Sequence, residues 1–158
     1  MQNKTGKLFQ DNQTRKVTAY EYIEKNEYYP FVESIQRQGK NQCIITSDIM
    51  LKFMEHFLYK HNAKITTIEF MIEDDILQEE INEILKSMDV QPAFWEKLKQ
   101  KLHFLSEENC IDLKSILIKC QDENFILRIL VNGLFTVTDS SYDAVAKELS
   151  SLMEVLIK

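Results

Sequence analysis

Between Glu69 and Glu83 the sequence places seven carboxylates, Glu69, Glu73, Asp74, Asp75, Glu79, Glu80 and Glu83, and no Lys or Arg occurs between Lys64 and Lys86. Carboxylates grouped in this way can attract a basic protein surface or hold a hard cation such as Ca²⁺ or Mg²⁺. On a helix, Glu69, Glu73 and Glu80 fall near one face, as do Glu79 and Glu83. Like charges at those spacings cost roughly a few tenths of a kcal/mol per pair, so the run does not serve helix stability. Acids in a first turn do gain from the helix dipole, which accounts for Glu69 and in part for Glu73. The bland alternative is a solvated helix face. The candidate partner-binding residues are Glu73, Asp74, Asp75, Glu79, Glu80 and Glu83.

No catalytic constellation accompanies them. There is no P-loop, no G-x-G-x-x-G and no G-x-S-x-G, and the 3 glycines, Gly6, Gly39 and Gly133, are too few and too widely separated to build one. His56 and His61 are five residues apart and diverge on a helix, and Glu55 does not complete a His-Glu-x-x-His motif. Cys110 and Cys120 fall on different predicted elements with no His nearby in sequence. The expectation is no enzyme, no catalytic residue, no cofactor and no metal site.

The three cysteines, Cys43, Cys110 and Cys120, are an odd number with apolar neighbours Ile44, Ile111 and Ile118. They read as buried, reduced thiols and point to the cytoplasm. The N-terminus is polar from Gln2 to Lys7, unlike a signal peptide. The longest apolar stretch, Phe125 to Val137, is interrupted by Arg128 and Asn132 and is too short to span a bilayer. The net charge is -6. Residues 1–16 are net basic through Lys4, Lys7, Arg15 and Lys16, so the remainder is more acidic than the whole. An acidic body repels phosphate backbones, which argues against nucleic acid as a partner.

The elements that must position the acids read as helices. Only 3 Gly and 2 Pro interrupt 158 residues, which favours long helices over many tight turns. Residues 1–17 lack periodicity and read as a flexible basic leader. Residues 18–158 read as a single helical domain. Tyr20, Ile23, Tyr28, Phe31, Val32 and Ile35 predict one or two short helices, broken near Pro30 and ended at Gly39. Residues 42–46 read either as a short strand or as the lead into the next helix. Thr46 or Ser47 caps a helix on Ile49, Met50, Phe53, Met54, Phe57 and Leu58, which stops near His61 and Asn62.

Thr66 with Glu69 three residues on has capping-box spacing and predicts a long helix through Ile72, Ile76, Leu77, Ile81, Leu85 and Met88. The alternative is a strand over 65–72, because Ile65, Thr66, Thr67 and Ile68 are β-branched. Pro92 opens a helix on Phe94, Trp95, Leu98, Leu102 and Leu105. Asp112 opens a short one through Leu113, Ile116, Leu117 and Cys120. Asp122 caps one on Phe125, Ile126, Ile129, Leu130, Gly133 and Leu134. Ser141 starts the last, on Val145, Leu149, Leu152 and Leu156. The expected fold is all-α, a single multi-helix domain of about seven helices, packed as a helical bundle.

Within that pattern, residues 61–69, from His61 through Ala63, Thr66 and Glu69, resemble the helix–turn–capping-box segment of TerB-like tellurite-resistance domains. Asn62 stands in the place of the family's Asp and Ala63 in that of its Gly. Residues 137–143 resemble a second copy, with Asp139 matching and Ser140 in the Gly place. Ala146 stands where the Glu should follow. The resemblance covers roughly residues 47–157. It implies two degenerate helical halves, a role in a stress-response or envelope-associated assembly, and loss of the family's metal binding.

The expected function is a non-enzymatic protein-protein interaction or scaffold module. The alternative is an acidic inhibitor, an immunity protein or antitoxin, that neutralises a basic enzyme through the 69–83 acidic surface. A third possibility is a metal-dependent enzyme using those carboxylates.

Overall fold

A computed structural model describes residues 2–157. In chain order the elements are β1 (Asn3–Asp11), β2 (Val17–Tyr22), α1 (Tyr28–Gln36), β3 (Lys40–Gln42), α2 (Ser47–Lys60), β4 (Lys64–Phe70), α3 (Asp75–Val90), α4 (Phe94–Asn109), β5 (Leu113–Cys120), β6 (Phe125–Leu130), β7 (Leu134–Thr138) and α5 (Tyr142–Leu156). A 3-10 turn over Asp139–Ser141 precedes α5. Among the described residues, five helices and seven strands make an α+β fold, which overturns the expected all-α helical bundle. The chain divides into two units. One joins the residues up to Ile44 with those from Asn132 onward, and the other runs from Ile45 to Val131.

In the central unit, β5 lies between β4 and β6, both antiparallel to it. Thr46 caps α2 by accepting a hydrogen bond from the Ile49 amide at 3.3 Å. Its stripe of Met50, Phe53, Met54 and Phe57 is buried, and α2 packs on β5 and α4. Each fully buried side chain of this size contributes about 2 kcal/mol relative to leaving it in water. Trp95, Leu98, Leu102 and Leu105 form the buried stripe of α4. Glu55 of α2 accepts from Lys99 Nζ at 2.8 Å and from Trp95 Nε1 at 3.3 Å, which fastens α4 to α2.

The expected long helix from Thr66 is replaced by β4 and a later-starting α3. Ile65 pairs with Ile118 and Thr67 with Leu117, so Thr66 is an extra residue in the ladder. The bulge turns both Ile65 and Ile68 inward. Two buried residues three apart imitate a helical stripe, so the strand imitates a helix in sequence. The expected helices at Asp112 and Asp122 are likewise β5 and β6. In β6, Phe125, Leu127 and Ile129 are buried alternately, a period of two that the continuous apolar run conceals.

The second unit holds β2, β1 and β7 in antiparallel order, with β3 pairing the far end of β1. Residues expected to be a leader therefore form β1. Asn3–Lys7 pair with β7, and Phe9–Asp11 pair with β3. Phe9, Val32 and Ile35 form a buried cluster, with Tyr20, Tyr28 and Phe31 packed against it. Helix α5 covers β1, β2 and β7.

The shortage of glycine does not prevent tight turns. Left-handed backbone positions are occupied by Arg15, Asn62, Cys110 and Asn124 as well as by Gly39 and Gly133. Asn in particular tolerates that conformation. No helix among the described residues is long and apolar enough to cross a membrane.

Candidate functional site

The acidic run does not form one helical face. Glu69 belongs to β4, where it accepts from Ser115 Oγ at 2.5 Å and from Arg128 Nη1 at 2.8 Å. The Ser115 hydrogen bond, with Arg128 beside it, holds the Glu69 carboxyl below its ordinary range. This acid is tied up within the sheet. Glu73 lies exposed between β4 and α3. Asp74 is the N-cap of α3 and accepts from the Leu77 amide at 3.0 Å. Asp75 sits in the first turn, where the helix dipole favours it.

Glu79, Glu80 and Glu83 follow along the exposed side of α3. Glu80 meets Lys101 of α4 at 2.8 Å, and Glu83 meets Lys86 at 3.7 Å. Among the described residues, Glu73, Asp75 and Glu79 have no ion pair. The six candidates thus divide in two. Three supply unneutralised charge at the start of α3, and the other three cap the helix or are neutralised.

Sequence periodicity missed the apolar residues among these acids. Met71, Ile72 and Ile76 are 57%, 46% and 82% exposed. Ile76 was expected to face the core. It faces solvent because α3 starts at Asp75, which makes Leu77, Ile81, Ile84 and Leu85 the buried stripe. The segment is anchored on both sides. The Met71 amide donates to the Asp112 carbonyl at 2.9 Å, and Gln78 Nε2 donates to the Ile68 carbonyl at 2.9 Å. Exposed apolar side chains close in sequence to exposed charges are the residue types that protein interfaces use.

The cysteines divide differently from expectation. Cys43 and Cys120 are buried, but Cys110 is exposed, at the C-cap of α4 with φ of 57°. The two histidines judged to diverge have ring centroids 6.0 Å apart, and His61 Nδ1 lies 2.6 Å from Glu123. Asp139, the turn acid of the second resembling segment, pairs with Lys4 at 3.6 Å.

Sequence reading also missed Lys7. It counted as part of a solvated tail, yet its side chain is 0% exposed. Its amine donates to the Asn132 carbonyl and lies 5.5 Å from the Tyr28 ring centroid and 5.8 Å from that of Phe9. Burial lowers the amine to about 8. The alternation of β1 gave no warning, because Gly6, Lys7, Leu8 and Phe9 are all buried.

The chain matches no family model, no curated protein and no solved structure. Among the described residues, Thr66 and Glu69, expected to open a helix, lie in a strand, and the segment before Asp139, also expected to be helical, is β7.

Proposed function

We propose that this chain is a non-enzymatic interaction module that docks a protein partner through residues 71–83. The observation that carries the reading is the solvent position of Met71, Ile72 and Ile76 among Glu73, Asp75 and Glu79. Apolar side chains in that setting gain by leaving water, and the acids next to them in the chain favour a partner whose matching apolar patch is bordered by Lys or Arg. The acids steer encounter and the apolar centre holds the complex.

Two variants separate these contributions. Ile76→Asp removes the centre, and Glu73→Gln/Asp75→Asn/Glu79→Gln removes unpaired charge without touching the Asp74 cap. Affinity capture by the wild-type chain, followed by binding kinetics on the captured partner, is expected to show faster dissociation for Ile76→Asp. The triple variant should associate about tenfold more slowly at low salt and little differently at high salt. Circular dichroism should be unchanged for both. Capture and rates that are the same for all three proteins would refute the surface.

The same unpaired acids also favour the acidic-inhibitor reading. In that case the captured partner is a basic enzyme whose activity falls in proportion to the bound chain. A partner that keeps full activity in the complex excludes inhibition.

A further inference from the structure

At the far end of α4 from Trp95, three metal-ligating side chains converge. His103 and Glu107 are one turn apart on α4 and project on the same side. Asp48, in the first turn of α2, faces them. One donor atom from each of the three lies within 4.8 Å of the others. His103 Nδ1 is 3.5 Å from Asp48 Oδ1.

That spacing is informative. Around a tetrahedral Zn²⁺ with ligands at about 2.1 Å, donor atoms sit about 3.4 Å from one another. It lies at ion-pair distance and equally fits two donors sharing a small cation. All three residues are exposed, so the donors can close the remaining distance by side-chain rotation.

The backbone beneath them is held in place. Asp112 accepts from Ser47 Oγ and from Ser106 Oγ, both at 2.8 Å. Ser47 immediately precedes Asp48, and Ser106 lies between His103 and Glu107. The Leu113 amide also donates to Ser47 Oγ at 3.0 Å. One carboxylate therefore ties the start of α2 to the last turns of α4, the two segments that supply the donors. Asp48 and His103 also form part of the wall of a cleft of about 450 Å³, together with Lys52, Glu55 and Lys99.

We propose that Asp48, His103 and Glu107 form a binding site for a divalent cation of the Zn²⁺ class. An imidazole with two carboxylates suits a borderline cation better than Ca²⁺ or Mg²⁺, which take oxygen donors. Three protein donors leave a fourth position for water. The site shares no residue with the 71–83 surface. The expectation of no metal site rested on the spacing of His56 and His61 and on the cysteines, and did not weigh His103 and Glu107, whose third partner Asp48 is remote in the chain.

Calorimetric titration of the full chain with ZnCl₂ in chelator-free buffer tests the site. One ion per chain, bound in the micromolar range, is expected. His103→Gln and Glu107→Gln should each weaken binding by about tenfold or more. His61→Gln, which alters a histidine outside the trio, should leave it unchanged. Co²⁺ in place of Zn²⁺ should give visible d–d absorption that His103→Gln abolishes. The proposal is overturned by no saturable Zn²⁺ binding to the wild-type chain, by binding that His103→Gln leaves intact, or by binding that His61→Gln removes.

Discussion

Gly133→Ala is expected to destabilise the protein by about 3 kcal/mol or more, combining left-handed strain with a main-chain clash. Gly133 has φ of +87°, and a Cβ placed there would lie 2.5 Å from the Cys43 carbonyl oxygen. The obstructing atom is backbone and cannot rotate away. Its surroundings are also fixed: the Leu8 amide donates to the Gly133 carbonyl, and the Cys43 amide to the Leu8 carbonyl, both at 3.0 Å. Relieving the clash would pull these segments apart.

Gly39→Ala is the matched control. Gly39 has φ of +80° with nothing within 4 Å of the added Cβ. Only left-handed strain remains there, about 1 kcal/mol. In thermal unfolding, Gly133→Ala should lower Tm by about 10 °C and Gly39→Ala by a few degrees. Equal shifts would show that the close approach to Cys43 has no energetic weight.

The second large effect concerns Lys7 and pH. The amine is lowered from 10.5 to about 8 by burial, with the Cys43 thiol acting in the opposite direction. That gap corresponds to about 3 kcal/mol between the charged and neutral forms. Below pH 8 both the folded and the unfolded chain hold the Lys7 proton, so folding bears the whole cost of burying the charge. Between about 8 and 10.5 the unfolded chain holds the proton and the folded chain releases it. Stability from this group therefore rises with pH across that window.

Groups whose protons the folded chain holds more tightly act against it, Cys43 and Tyr142 foremost. Burial raises the Cys43 thiol to about 11 and the Tyr142 hydroxyl to about 12. The folded chain keeps these protons after the unfolded chain has lost them, so their contribution falls with pH. The comparison with Lys7→Met removes the lysine together with its lowering effect on the Cys43 thiol. At pH 7 the variant should be more stable by about 2 kcal/mol, because removing the buried charge outweighs the lost hydrogen bond to Asn132. Its advantage should shrink towards pH 10. Urea unfolding of both proteins at pH 7, 8, 9 and 10 measures this. A variant that is less stable at pH 7, or a difference independent of pH, would contradict a charged amine buried at cost.

The elements legible in the sequence are those whose signals are local. Helix α2 has its cap at Thr46 and its buried stripe within fifteen consecutive residues, 46–60. Trp95, Leu98, Leu102 and Leu105 similarly define α4, and Val145 and Leu149 mark the buried face of α5, which Met153 completes in place of the expected Leu152 and Leu156. In each, covalent neighbours one turn apart share a face, so a short window contains the whole pattern. The grouping of acids in residues 69–83 was visible for the same reason.

Tertiary structure decided everything that depends on a partner elsewhere in the chain. The β4 bulge at Thr66 exists only against β5, and without that partner the spacing of Ile65 and Ile68 satisfies a helix equally well. Lys7 looks like a tail residue until pairing with Leu134 places it under the aromatic rings of Phe9 and Tyr28. Arg128 removes Glu69 from the acidic surface, and Lys101 neutralises Glu80. Asp48 reaches His103 because α2 and α4, far apart in the chain, are packed together and tied by Asp112. Sequence determined which residues could pair, through their size, charge and local period. Which pairings formed depended on strand partners and counter-charges brought from distant positions, and no local window contains both members of such a pair.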